Sequence, residues 1–253
     1  MQYTVKILII LLIIICHTTN SYSQRWKLKR YRIGIGFASA NYFGDVGGSV
    51  DKNNLYGLKD IDIKTTQVGY TTSLLYKLQE KIDVKFNFTS TRISASDANG
   101  KFPDRKGYFV TKINEPGLQV NYIFFMQENK GGSGKLFSRK GMLNNFSKFN
   151  LHVFGSTGMV FFNPLEVLPV ARRATGFKQS SIIGSMGLGL VYVLSNKVEF
   201  VLDFGGRFTL TDYLDGFVTP ASESQDIYYL TTFSFNYRIK TDRRGRPQFD
   251  LFK

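Results

Sequence analysis

The sequence predicts an all-β fold, an eight-stranded antiparallel transmembrane β-barrel of the outer-membrane kind with its lumen filled by side chains. Three observations lead there. Eight runs alternate apolar and polar residues over strand-like lengths. One face of these runs carries Phe, Tyr, Leu, Ile and Val, while the other carries small residues and a few charges rather than the Lys and Glu of a solvated surface. The N-terminus reads as an export signal, and no later segment is apolar enough for a transmembrane helix.

The export signal spans residues 1–23. MQYTVK supplies a basic residue, Ile7 to Cys16 an apolar core too short to span a bilayer, and HTTNSYS a polar end with Ser21 and Ser23 placed for cleavage before Gln24. Residues 24–240 form the barrel and 241–253 a basic periplasmic tail. The strands are expected at 30–41, 66–78, 81–93, 113–126, 147–162, 181–194, 197–211 and 227–239. The last is the clearest: Ile227, Tyr229, Thr231, Phe233, Phe235, Tyr237 and Ile239 make one face, opposite Tyr228, Leu230, Thr232, Ser234, Asn236 and Arg238. On the sixth, the inward set is Ser181, Ile183, Ser185, Gly187, Gly189 and Val191; on the first it is Arg32, Gly34, Gly36, Ala38 and Ala40. A soluble eight-stranded barrel would turn its polar face to water and need solvated charges there, so the membrane reading is preferred.

An even strand number leaves both termini on one side, the periplasm. Tight turns at Gln79-Glu80 and Ser195-Asn196 lie on that side, and 42–64, 94–112, 163–180 and 212–226 become outer loops. The connection 127–146 breaks the pattern, being long and periplasmic, and concentrates Lys130, Lys135, Arg139 and Lys140. Arg243, Arg244 and Arg246 in the tail extend the same basic surface. The chain carries a net charge of +14, which in an exported protein points to anionic lipid or an acidic protein partner and away from nucleic acid.

The chemistry-bearing residues are few. The only cysteine, Cys16, falls in the signal, and His152 is the one histidine after it, which excludes zinc sites built on several His or Cys ligands. GGSGK at Gly131–Lys135 lacks the first glycine and the hydroxyl of a phosphate-binding loop, so no nucleotide, cofactor or small-molecule substrate is expected. His152 and Ser156 share a strand face with Asn150, the one arrangement that suggests an acyl-modifying outer-membrane enzyme. Both point to the lumen, away from lipid substrates, and the expectation is a hydrogen-bonded histidine and no enzyme. Glu199, Asp203 and Arg207, with Arg32, Lys77, Asp83, Lys85 and Arg238, are expected to pair inside the barrel, since buried charges are costly alone. FTLTDYLDGF places Asp212, Tyr213 and Asp215 where the seventh strand ends, beside Phe217. With Asp45 they are assigned to an outer rim, the aromatics in the interfacial girdle and the carboxylates able to pair with rim cations or a divalent ion.

Several of these stretches together resemble one family. RYRIGIGFASANYFGDVGG from Arg30, GMVFFNP from Gly158, GLGLVYVLSNKVEFVLDFGGRFTLTDYLDGF from Gly187 and the closing FSFNYR are similar to PorG, the outer-membrane β-barrel component of the type IX secretion system. The likeness runs from the first strand to the last. It implies a part in protein export through contact with periplasmic ring subunits, for which the basic surface at Lys130–Lys140 and Arg243–Arg246 is the candidate. Gly216 stands where many relatives carry a second acidic residue after Asp215, which weakens the case for an ion at the rim.

Overall fold

The computed structural model describes residues 29–43, 46, 65–97, 104, 106–127, 148–168, 176–217, 225–242 and 246–248. The signal, Asp45 and the basic residues Lys130, Lys135, Arg139, Lys140, Arg243 and Arg244 lie outside them. The strands are β1 (Tyr31–Phe43), β2 (Gln67–Lys77), β3 (Ile82–Ser96), β4 (Tyr108–Met126), β5 (Phe149–Leu168), β6 (Ser180–Val193), β7 (Val198–Thr209), β8 (Ile227–Thr241) and a two-residue β9 (Pro247–Gln248). Strands β1 to β8 pair antiparallel in chain order, and β1 also pairs with β8. The sheet therefore closes and, apart from β9, leaves no edge strand, as a backbone surrounded by lipid requires.

The register sets the barrel's dimensions. Partners followed once round from Tyr31 run through Tyr76, Val84, Val120, Gly155, Met186, Gly206 and Tyr229, and arrive at Asn41. The circuit is thus staggered by ten residues, from 31 to 41. A stagger of that size over eight strands tilts them by about 40° and leaves an interior just wide enough for side chains. The ten steps from Tyr31 to Asn41, at about 3.3 Å each along the tilt, span roughly 25 Å, the height of a lipid-facing band.

That band is present. Ile35, Phe37, Val68, Leu74, Phe86, Leu118, Ile182, Leu188, Phe233 and Phe235 all point outward and stand exposed. Exposed Tyr122, Tyr192 and Tyr237, with Tyr31 and Tyr76, form a belt of hydroxyls at the end that holds the termini, where an aromatic ring is apolar on one side and wet on the other. The alternation read from sequence holds on β6 and β8: Gly187 and Ser234 face inward, Leu188 and Phe233 outward.

Three differences from expectation stand out. β4 begins five residues earlier than expected and β5 runs six residues further, so β3, β4 and β5 rise as a taller wall. On β5 a bulge explains the shortfall: Val110 pairs with Glu166 and Thr111 with Pro164, which leaves Leu165 extra and breaks that strand's period of two. Second, a short ninth strand joins the expected eight: Arg246 N–H bonds Asp242 Oδ1 at 2.8 Å and β9 folds back on Lys240 and Thr241. Third, only half of the lumen is polar. Toward the end away from the termini it is packed with Ile93, Phe109, Ile113, Phe162, Ile183 and Leu230, all nearly or fully buried.

Candidate functional site

The polar half of the lumen forms from inward positions on neighbouring strands. Glu199, fully buried, accepts from Arg32 Nη1 at 3.0 Å, Arg238 Nε at 2.7 Å and Asn236 Nδ2 at 3.3 Å. Arg32 also pairs with Asp83 at 2.6 Å, and Lys77 reaches the other oxygen of Asp83 at 3.0 Å. A second group joins Asp203 to Lys85 at 2.7 Å and to His152 Nε2 at 2.9 Å. A third, higher up where the polar network meets the apolar half, joins Arg207 to Glu115 at 3.3 Å, with Tyr228 of the apolar cluster donating to Glu115 Oε2 at 2.8 Å. The network expected from sequence is therefore assembled, with Glu115 and Tyr228 as unforeseen members. Ser156 bonds Ser185 across the β5–β6 pair while His152 is held by Asp203, so no Ser–His dyad forms. The glycines make room for these groups: a Cβ on Gly189 would lie 2.2 Å from His152 Nε2 and 2.3 Å from Asp203 Oδ1.

The other half is closed by the FTLTDYLDGF segment. Beyond β7 the chain does not continue outward; it bends over the mouth and inserts Leu214, which is fully buried. Thr111 Oγ1 donates to Leu214 O at 2.6 Å, and Leu214 N–H donates to Asp226 Oδ2 at 2.8 Å. Gly216 N–H bonds Tyr213 O at 3.1 Å with Gly216 at φ 74°, a left-handed turn that glycine adopts without steric cost. Phe217 N–H donates to Asp215 Oδ1 at 3.0 Å.

Asp215 and Phe217 are thus placed differently from the rim assignment. Both are buried inside the mouth, Phe217 edge-on to Phe109 with 6.5 Å between centroids. Asp212 is half-buried, and Tyr213 remains exposed at the end of a stack running Phe162–Phe177–Tyr213, with planes 8° and 14° apart. Period-two reasoning stops where the strand stops, so it could not foresee that the segment after Thr209 would turn inward.

Asp226, immediately before β8, faces the same pocket. Tyr42 Oη contacts Asp226 Oδ1 and lies 3.4 Å from Asp215 Oδ2. Burial, then the neighbouring Asp215, push the Asp226 carboxyl well above the ordinary carboxylate range, against the opposing bonds from Tyr42 and the Leu214 amide. A tyrosine hydroxyl has one proton and cannot donate to both acids at once; a proton kept on Asp226 removes the conflict. Among the described residues no three His, Cys, Asp or Glu side chains come together as a metal site.

Tyr42 belongs to NYFGD, Phe162 and Pro164 to FFNP, and Leu214 and Asp215 to TDYLD. Three segments spread from residue 41 to residue 215 therefore build one plug. Tyr42, Phe162, Leu214 and Phe217 share the same buried cluster, and a Cβ on Gly216 would meet Pro164 at 3.1 Å.

A staggered, edge-free cylinder with an exposed apolar band, a polar network at one end and an apolar plug at the other defines a small outer-membrane β-barrel with a filled lumen. Solved structures similar to it are Neisserial surface protein A (8% identity, 82% of this chain and 96% of that one, TM-score 0.48), OprG from Pseudomonas aeruginosa (13%, 84% and 97%, 0.41) and Ail from Yersinia pestis (14%, 83% and 98%, 0.40). Neither the protein-family models nor the curated proteins include a match to the chain.

Proposed function

We propose that this barrel is a non-enzymatic outer-membrane subunit of the type IX protein secretion machinery that anchors or contacts its periplasmic ring subunits. One observation supports the reading above others. The three short motifs that carry the resemblance to PorG, NYFGD, FFNP and TDYLD, meet at a single plug around Tyr42, Phe162, Leu214 and Asp215. Generic strand alternation has no need to bring them together. A plugged barrel suits an anchor better than a conduit, because cargo the size of a protein has no path through it.

The contact with the ring is assigned to the basic periplasmic surface: Lys130, Lys135, Arg139 and Lys140 in one connection, and Arg243, Arg244 and Arg246 in the tail. Arg246 stands exposed in the β8–β9 hairpin, at the same end as the termini. Such a charge-steered contact weakens with salt. The test is deletion of the gene product with a census of secreted proteins, alongside pull-down of the ring with Arg139, Lys140, Arg243 and Arg244 reversed to Glu. Loss of secretion and of recovery is expected. Unchanged secretion would favour an OmpX-like surface barrel without partners, and an altered lipid A acyl pattern on deletion would favour an enzyme.

A further inference from the structure

On β3 and β4 the outward face changes character toward the plugged end. The cross-strand pairs run Phe86–Leu118, Phe88–Pro116, Ser90–Asn114 and then Arg92–Lys112. Two exposed cations therefore sit directly opposite each other, an arrangement that destabilises a sheet unless an anion lies between them. Neither side-chain head has a hydrogen-bond or ion-pair partner among the described residues. Glu166, further up the wall opposite Val110, forms no ion pair with either. On the outward faces of the other described strands, no Arg or Lys stands at this end.

Their height is informative. A stagger of ten over eight strands raises the pairing line by about 1.25 residues per strand, which sets Arg92 and Lys112 within about two residue steps of Asn41 at the top of the apolar band. Asn163 is the partner of Lys112 on β5, and exposed Phe161 is the partner of Asn114 just below. On β2, Tyr70 pairs with Ser90 and is exposed as well. Arg92, Lys112 and Asn163 thus stand one outward position above the row of Tyr70, Ser90, Asn114 and Phe161, whose rings meet acyl chains.

We propose that Arg92 and Lys112, with Asn114 and Asn163, bind a phosphate group of a phosphorylated glycolipid in the outer leaflet, its acyl chains lying along Phe161 and Tyr70. A guanidinium fork and an ammonium are the groups that recognise phosphate, and at this level the phosphate is carried by lipid. The site goes beyond the secretion reading and is independent of it.

The test uses the full chain in detergent, titrated by native mass spectrometry with bisphosphorylated lipid A, dephosphorylated lipid A and inorganic phosphate. Wild type is expected to prefer the bisphosphorylated lipid, and Arg92→Gln and Lys112→Gln each to lose about tenfold in its affinity while the dephosphorylated form is unaffected. Inorganic phosphate should not compete at equal concentration. Equal binding of both lipids, unchanged affinity in both variants, or displacement by inorganic phosphate alone overturns the proposal. Heat-modifiable migration on gels verifies that each variant is folded; the substituted side chains are exposed, so both are expected to retain it.

Discussion

Glu199→Gln tests the luminal network where it is most concentrated. The wild-type carboxylate is fully buried and is bonded by Arg32, Arg238 and Asn236 at 2.7 to 3.3 Å. The amide preserves the shape but removes the charge, leaving two guanidinium groups close together, with Asp83 still paired to Arg32. Removal of one partner from a buried ion pair costs about 3–5 kcal/mol, far above the Coulomb gain of an exposed pair. Lys197→Gln, at an exposed turn position, is the control and should change stability by less than about 0.5 kcal/mol. The assay is reversible urea unfolding in phospholipid vesicles followed by far-UV circular dichroism. The double variant Glu199→Leu with Arg238→Met should lose less than the two single changes combined, because both charges leave together. A loss below about 1 kcal/mol for Glu199→Gln, or strict additivity in the double variant, would refute the view that paired burial holds this half of the lumen.

Two further outcomes concern the plug. Gly216→Ala forces a side chain into a φ of 74° and sets its Cβ 2.9 Å from Val167 Cγ2, so amide protection at Leu214 and Phe217 should fall by the equivalent of about 1–3 kcal/mol in hydrogen exchange. The Asp226 carboxyl, raised in the folded state by burial and by Asp215, binds its proton more tightly folded than unfolded. Its contribution is therefore greatest below its ordinary pKa of 3.8 and is lost as pH rises through the elevated folded value. The plug should open more readily at neutral than at acid pH once exchange rates are corrected for intrinsic chemistry. Asp226→Asn should flatten that dependence, while Asp215, Asp212 and Tyr42 remain as the other titratable groups facing the site.

The cylinder was legible because lipid and lumen demand opposite side chains at every second residue. Gly187 against Leu188 and Ser234 against Phe233 suffice to orient β6 and β8. Legibility ends where that demand ends. The bulge opposite Val110 and Thr111 shifts the parity of β5 at Leu165, so the extension of β5 looks irregular, and the inward Phe109 lies before the expected start of β4. A lumen of small and charged residues was the natural expectation from β1 and β6, yet Tyr228 and Leu230, on the less apolar face of the last run, already hinted at an apolar half. Asp215 could be placed near the mouth but not turned inward, since its direction depends on Gly216 and on Asp226 across the loop. The cations Lys130 to Lys140 and Arg243 and Arg244, which the sequence is expected to place in the periplasm, lie outside the described residues, and their proposed role rests on charge alone.

The orientation of the strands decides the account most directly. The only cysteine, Cys16, lies in the expected signal, so a single thiol introduced at each of positions 232–237 reports alone in the mature chain. Labelling in native membranes with a reagent confined to the hydrocarbon layer should modify positions 233 and 235 and spare 234 and 236. Modification of 234 and 236 instead, or of neither set in a chain that stays in solution without detergent, would contradict a lipid-facing apolar surface around a filled lumen.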